Sequence, residues 1–190
     1  MEIKYHFGYK PENTKKIAIH HTGGLGTNTR ASTQHLTAEN INAAHMARFD
    51  MLSTMMQWGG YNFFINKDGK ITQFRAIGEE TAAVKGWNFN GVCISICLAG
   101  NFLKGVDSPT PQQIAALKDL YGKLPKVPRG DIVPHRALQQ TECNGDLPDS
   151  WARDILEPQV PTQDKSRLIE AIIAEIKRLQ RLLARKLRGK

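Results

Sequence analysis

Two histidine-containing segments, far apart in the chain, place the strongest constraint on the fold. The first is IAIHHTGG, in which an apolar stretch ends in His20 and His21 and a glycine-rich loop follows. The second is DIVPHRALQQTECNGD, in which Cys143 follows His135 by eight positions. One upstream histidine together with His135 and Cys143 offers the nitrogen and sulfur donors that zinc prefers. A fold that joins the segments would leave a fourth zinc position open, which is typical of a catalytic site.

The paired histidines cannot both face the same site if the strand is regular. Residues 15–20 have the apolar pattern of a β-strand, and side chains alternate between the two faces of a strand. Ile17, Ile19 and His21 therefore share one face, whereas His20 lies on the other. This alternation does not decide which of the two histidines belongs to the metal site.

Helix and strand signals alternate between the two segments. In chain order they predict a helix over residues 36–57, a β-hairpin with its turn at 66–69, a buried strand over 92–98, a helix beginning at 110–113 and a short strand over 131–134. Thr37 is the expected N-cap of the first helix, and Thr110 with Gln113 forms a capping-box pattern. Cys93 and Cys97 are expected to be small buried residues of the 92–98 strand. The alternation favours an α/β fold, a single domain with a mixed central β-sheet flanked by helices.

Positive charge is concentrated at the C-terminus. The formal net charge is +8, and residues 164–190 hold nine Lys/Arg and three Asp/Glu, which is +6 and leaves +2 for the rest. Leucine and isoleucine recur there at three- and four-residue spacing, which predicts an amphipathic helix. We therefore expect a metal-site domain over residues 1–157, a linker over 158–163 and a basic amphipathic C-terminal helix over 164–190.

Four motifs, in order along the chain, resemble those of the zinc-dependent N-acetylmuramoyl-L-alanine amidases, the family shared by phage endolysins and peptidoglycan recognition proteins. The motifs are IAIHHTGG, similar to the first ligand strand; GGYNFFINKDGKITQFR, similar to the tyrosine-containing hairpin; KGWNFNGVCISICLAGNF, similar to the approach to the central strand; and HRALQQTECNGD, similar to the His-to-Cys segment. Together they cover about residues 15–157, and the C-terminal segment lies outside the resemblance.

The resemblance implies a zinc ion and assigns residues to its chemistry. The implied ligands are His20, His135 and Cys143. Zinc would acidify water and polarise the amide carbonyl. Tyr61 matches a catalytic tyrosine that orients the water or the oxyanion, and Thr141 matches a hydrogen-bond donor to the oxyanion.

The resemblance also implies a substrate groove. Asn88 matches a groove asparagine, and His21 and Asn62 are expected to contact substrate as well. The chain departs from the family pattern at Asn62, where a histidine is common, and at Asn144, where a proline is usual. Alternation points Glu142 away from the side of the neighbouring cysteine, so the sequence assigns no group to protonate the leaving amine.

The activity that the resemblance implies is hydrolysis of the amide between N-acetylmuramic acid and L-alanine in peptidoglycan. A bacteriolytic phage endolysin is the expected context. The N-terminus MEIKYHFGYK has no apolar core of a secretory signal, so we expect synthesis in the host cytoplasm and action on the cell wall after release.

Two other functions fit the same family resemblance. One is a non-enzymatic peptidoglycan-binding protein. The resemblance implies that such members lose zinc ligands, typically the cysteine, whereas Cys143 is present here. The other is a cytosolic amidase that recycles muropeptides.

The predicted C-terminal helix admits three kinds of partner. It could pack on its own domain or on another subunit, giving a homo-oligomer. It could instead bind an anionic membrane or lipopolysaccharide, because Arg and Lys dominate its polar face. Nucleic acid is the third, but the segment has no interleaved aromatic residues and no base-reading motif, so no specific nucleic-acid partner is expected.

Overall fold

The computed structural model of the protein describes residues 1–84, 89, 91–157 and 169–181. The chain separates into two compact units, Met1–Glu157 and Pro158–Lys190. The predicted linker and both ends of the predicted C-terminal helix lie outside the described residues. Within the described part of the chain, no helix is both long enough and apolar enough to cross a membrane.

The first unit is built on a mixed β-sheet. Its strands are β1 (Lys16–His21), β2 (Phe63–Ile65), β3 (Ile71–Gln73), β4 (Cys93–Leu98) and β5 (Ile132–Pro134). They lie in the order β3-β2-β4-β1-β5. The β2, β4, β1 and β5 strands run parallel, whereas β3 pairs antiparallel with β2. The predicted mixed sheet, hairpin and buried central strand are confirmed.

Helices cover both faces of this sheet. They are α1 (Ala38–Phe49), α2 (Pro111–Lys123) and α3 (Trp151–Leu156). One face of the sheet carries Ile17, Ile19 and Ile96, which pack with Leu117 of α2 and Ala152 of α3. The other face has a smaller cluster that joins Phe64 and Cys97 to Ile41 of α1. Cys93 and Cys97 are both buried in β4, as expected.

The predicted beginnings of the first two helices are confirmed, but the predicted end of the first is wrong. Thr37 and Thr110 each form the side-chain and backbone hydrogen bonds of a capping box. The α1 helix ends at Phe49 instead of residue 57, because Asp50 adopts a left-handed conformation with φ of 50°. The chain beyond it folds back, and the Met51 carbonyl accepts a hydrogen bond from the buried Arg75 side chain.

The second unit is described over residues 169–181, which are helical and lie within the predicted C-terminal helix. Five large apolar side chains of this helix are between 45% and 56% exposed: Ile169, Ile172, Ile173, Ile176 and Leu179. Its acidic and basic side chains include the pair Arg178–Glu175, at 2.8 Å. The helix is therefore amphipathic, with an apolar face that is open to a partner.

Candidate functional site

The edge of the parallel sheet brings the two distant histidine segments together. His20 lies near the end of β1, and His135 follows the last residue of β5. The two strands are neighbours and parallel, with Ile17 opposite Ile132, so their carboxyl ends meet at the same edge. The His20 and His135 rings lie 4.3 Å apart between centroids. Carboxyl ends of parallel strands are the usual location of binding sites in α/β sheets.

Cys143 completes a cluster of three metal-type donors with these histidines. One ligand atom from each of His20, His135 and Cys143 lies within 4.8 Å of the others. The Cys143 Sγ atom is 3.9 Å from His20 Nδ1. The Nε2 atoms of His20 and His135 are buried and have no hydrogen-bond partner among the described residues. Imidazole nitrogens and a thiol are the donors that zinc prefers, so this set of three residues fits a metal ion of that kind.

The protonation states of the three donors differ. Burial, followed by the neighbouring His135 and His21, holds the pKa of His20 well below its usual value. Burial also lowers the pKa of His135. Burial raises the pKa of the Cys143 thiol to about 11. At neutral pH the histidines are therefore already neutral ligands, whereas the thiol must lose a proton when a cation binds.

Tyr61 lies beside this cluster. Its ring centroid is 5.3 Å from that of His20 and 5.4 Å from that of His45. Burial, with a further contribution from Cys97, raises the pKa of the Tyr61 phenol well above its usual value. Tyr61 thus keeps its hydroxyl proton at neutral pH and can act as a hydrogen-bond donor.

The segment that carries the cysteine forms a tight turn. The Thr141 Oγ1 atom accepts a hydrogen bond from Cys143 N at 3.3 Å, which leaves the Thr141 hydroxyl hydrogen to donate elsewhere. Gly145 N donates to the Glu142 carbonyl at 2.9 Å. Asn144 has φ of 87°, a value that proline cannot adopt, which explains its presence at this turn.

A cavity of about 610 Å³ surrounds these groups. Its walls come from the glycine-rich loop after β1, from α1, from the segment after β4 and from the cysteine turn. Thr141, Glu142 and Cys143 all line it. Glu142 is exposed at this wall, and the expectation that its side chain points away from Cys143 stays a prediction.

Comparison with known proteins gives the family of this fold and site. A family model described as N-acetylmuramoyl-L-alanine amidase matches residues 10–146. The chain belongs to this amidase family. Peptidoglycan-recognition protein SC2 of Drosophila melanogaster is 36% identical over 137 residues, which cover 67% of this chain and 66% of that protein.

Solved structures of the family share the fold. The N-acetylmuramoyl-L-alanine amidase LysC from Clostridium intestinale aligns with a TM-score of 0.56 at 25% identity, covering 77% of this chain and 87% of that chain. Human PGRP-IBETAC, solved in complex with glycosamyl muramyl pentapeptide, aligns with a TM-score of 0.53 at 20% identity, covering 80% and 87% of the two chains. The latter similarity supports the fold alone.

The two adjacent histidines lie on opposite faces of β1 and have different neighbours. His20 joins Cys143 and His135, whereas His21 lies on the other face of β1. The His21 Nδ1 atom accepts a hydrogen bond from Phe102 N at 3.0 Å, and burial lowers its pKa to about 4. The neutral ring therefore carries its hydrogen on Nε2. His21 lines the cavity, so its expected contact with substrate stays a prediction.

The structure disagrees with the substrate contact that the family resemblance predicted for Asn62. It is 1% exposed. Its Oδ1 atom accepts from Ser95 N at 2.9 Å, and its Nδ2 atom donates to the Ala76 carbonyl at 3.1 Å. Both polar groups are thus used inside the protein, and Asn62 joins the start of β2 to β4 instead of binding substrate. Asn88 lies outside the described residues, so its expected contact with substrate stays a prediction.

The cavity also contains residues that sequence analysis did not place at the site. His45, Arg48 and Phe49 of α1 contribute to its wall, as does Asn101 after β4. Ile41, His45 and Arg48 recur at helical spacing, which places them on one face of α1. Ile41 packs toward the sheet, so this spacing was the signal that could have predicted the other two.

Proposed function

We propose that this protein is a zinc-dependent amidase that hydrolyses the bond between N-acetylmuramic acid and L-alanine in peptidoglycan. The observation that carries the proposal is the convergence of His20, His135 and Cys143 in one cavity. Family membership supplies the substrate class, since the matching family model is described as N-acetylmuramoyl-L-alanine amidase and the Clostridium intestinale structure carries the same description.

The side chains around the donors suit amide hydrolysis. Zinc held by His20, His135 and Cys143 would supply Lewis-acid activation of the scissile carbonyl and the attacking water. The Tyr61 hydroxyl, which stays protonated, and the Thr141 hydroxyl both line the cavity and would donate hydrogen bonds as negative charge develops on the carbonyl oxygen. Such donors lower the barrier because they are already oriented before the reaction begins.

The leaving amine must gain a proton as the bond breaks. Glu142 is an exposed residue at the cavity wall. This position supports Glu142 as a proton carrier toward the amine nitrogen, a role that the sequence alone did not suggest.

The competing function is peptidoglycan recognition without hydrolysis, which the name of the Drosophila relative supports. Mass analysis of products from defined muropeptides separates the two functions, because only an amidase releases a free stem peptide with an L-alanine amino terminus. The purified protein should contain about one zinc ion per chain. Binding of intact muropeptide with no product would establish recognition instead.

A cysteine substitution tests the metal site directly. Cys143→Ser should lose zinc and hydrolysis, because a hydroxyl is a far weaker zinc ligand than a thiolate. Cys93→Ala is a matched control, since Cys93 is a buried cysteine of β4 and not one of the three clustered donors. Full zinc content and activity in Cys143→Ser would show that the site is wrongly assigned.

The cellular role rests on the sequence. We propose host lysis by a phage enzyme that is made in the host cytoplasm and acts on the wall after release. A muropeptide-recycling amidase would differ in substrate. Digestion of intact sacculi and of soluble anhydro-muropeptides, side by side, distinguishes them: lysis requires sacculus cleavage, whereas preference for the soluble substrate would establish recycling.

A further inference from the structure

The short segment that precedes Tyr61 is held by side chains of α1. Trp58 N and Gly59 N both donate hydrogen bonds to Asn42 Oδ1, at 2.5 and 3.1 Å. Gly60 N donates to His45 Nδ1 at 2.8 Å. Asn42 and His45 are three positions apart, so they project from the same side of the helix. Three consecutive backbone amides thus donate hydrogen bonds to two side chains of one helix.

The carbonyl groups of the same segment are bound from the opposite direction. Arg75 is 2% exposed, and its Nε atom donates to the Gly59 carbonyl at 2.8 Å. The Gly60 carbonyl accepts from Ala82 N at 2.9 Å. A side chain at Gly59 would place its Cβ 2.2 Å from the Phe74 ring, so the backbone is pressed against the core. These contacts together restrict the backbone conformation of the segment that precedes Tyr61.

His45 links this backbone to the phenol. It accepts from the amide of Gly60, the residue before Tyr61, and its ring lies 5.4 Å from the Tyr61 ring. His20 lies 5.3 Å from the same phenol. Tyr61 is therefore flanked by a histidine of the donor cluster and by a histidine that fixes its own backbone.

We propose that Asn42 and His45 are positioning residues, which hold the Trp58–Gly60 backbone so that the Tyr61 hydroxyl stays at the reaction site. The inference deepens the proposed amidase function and rests on it, since it assigns Tyr61 a part in hydrolysis. Neither residue needs to touch substrate for this role. Displacement of a catalytic group by about 1 Å can lower a rate about a hundredfold, so small backbone shifts at Gly60 matter.

The first test compares two substitutions at His45 in the zinc-loaded protein. His45→Leu removes the acceptor for Gly60 N, and we expect kcat to fall about ten- to a hundredfold with little change in KM. His45→Asn keeps an acceptor oxygen near the position of Nδ1, and most of the rate should return. Met46→Ala, at a 47% exposed neighbouring position on α1, is the control and should match the parent protein. Equal rates in His45→Leu and the parent would overturn the proposal.

A double-mutant cycle with Tyr61→Phe separates positioning from general damage. If His45 acts through the phenol, His45→Leu should cost little further rate once the hydroxyl is gone. Full additivity of the two losses would refute positioning even if each single variant is slow. An unchanged rate in Tyr61→Phe alone would contradict the proposed part of Tyr61 in hydrolysis, which is a different failure.

Amide hydrogen exchange gives a readout that needs no activity. In metal-free protein, His45→Leu and Asn42→Ala should each speed exchange across residues 58–61, while the β4 amides stay protected. The Asn42 variant keeps the test available if the His45 variant fails to fold. Unchanged exchange in this segment in a folded variant would overturn the proposal, whether or not the protein hydrolyses peptidoglycan.

Discussion

The buried amide of Asn62 gives a sharp test of whether this residue supports the fold or contacts substrate. Asn62→Ala removes the acceptor for Ser95 N and the donor to the Ala76 carbonyl. Ser95 and Ala76 are 0% and 3% exposed, so water cannot take over either hydrogen bond. The substitution should therefore leave Ser95 N unpaired, whereas the Ala76 carbonyl loses one hydrogen bond and keeps the one from Glu79 N.

The expected loss of stability has two parts, the unpaired Ser95 amide and the lost hydrogen bond to the Ala76 carbonyl. An unsatisfied buried group costs about 1–3 kcal/mol and a lost hydrogen bond about 0.5–1.5 kcal/mol, so the free energy of unfolding should fall by about 3 kcal/mol. For a domain of this size, about 1 kcal/mol shifts Tm by about 2–4 °C, which predicts a fall of about 6–12 °C. KM for a muropeptide should not change, because the Asn62 side chain is absent from the cavity wall.

Circular dichroism on heating and in urea measures the first quantity, and steady-state kinetics measures the second. Asn13→Ala is the control, since Asn13 is exposed and its substitution should change stability by less than about 0.5 kcal/mol. An unchanged Tm in Asn62→Ala together with a raised KM would refute the reasoning. That result would restore the substrate contact expected from the sequence.

Three further results are expected. Zinc binding at pH 7 should release about one proton, because burial raises the pKa of Cys143 to about 11 while the pKa values of both histidines are lowered. Affinity should rise about tenfold per pH unit between neutral pH and the thiol pKa, and calorimetry in buffers of different ionisation enthalpy checks this. Tyr61→Phe and Thr141→Ala should keep zinc but lower turnover, and unchanged turnover in both would contradict their roles. Deletion of residues 163–190 should preserve hydrolysis of soluble muropeptides; loss of oligomers would indicate a subunit contact, whereas loss of action on intact cells would indicate a membrane contact.

Local sequence signals predicted most elements of the fold because those elements depend on neighbouring residues. The Thr110 capping box and the apolar run of β4 are examples. The end of α1 was different, because the chain after Asp50 is held by Arg75, which lies 24 positions beyond its Met51 partner. The sequence pattern of the helix itself cannot predict a contact with so distant a residue.

The site shows the same division between local and distant causes. Alternation along β1 separated His20 from His21, but only the position of Cys143 against the sheet shows which one meets the other donors. The Asn62 error has a related origin. The family resemblance implied a substrate contact at Asn62, whereas the partners of its side chain are backbone groups of two other segments.

The spacing of the three donors has a consequence for the integrity of the chain. His20 and Cys143 are 123 positions apart, and β1 and β5 pair directly beneath them. A metal ion shared by these residues would act as a reversible cross-link that closes nearly the whole first unit into a ring. In the chain-entropy description a covalent link of that span restricts the unfolded chain by about 4–5 kcal/mol. After a single protease cut in a surface loop between His21 and His135, the metal would then hold the two fragments together in addition to the β1–β5 pairing, and a chelator would weaken their association.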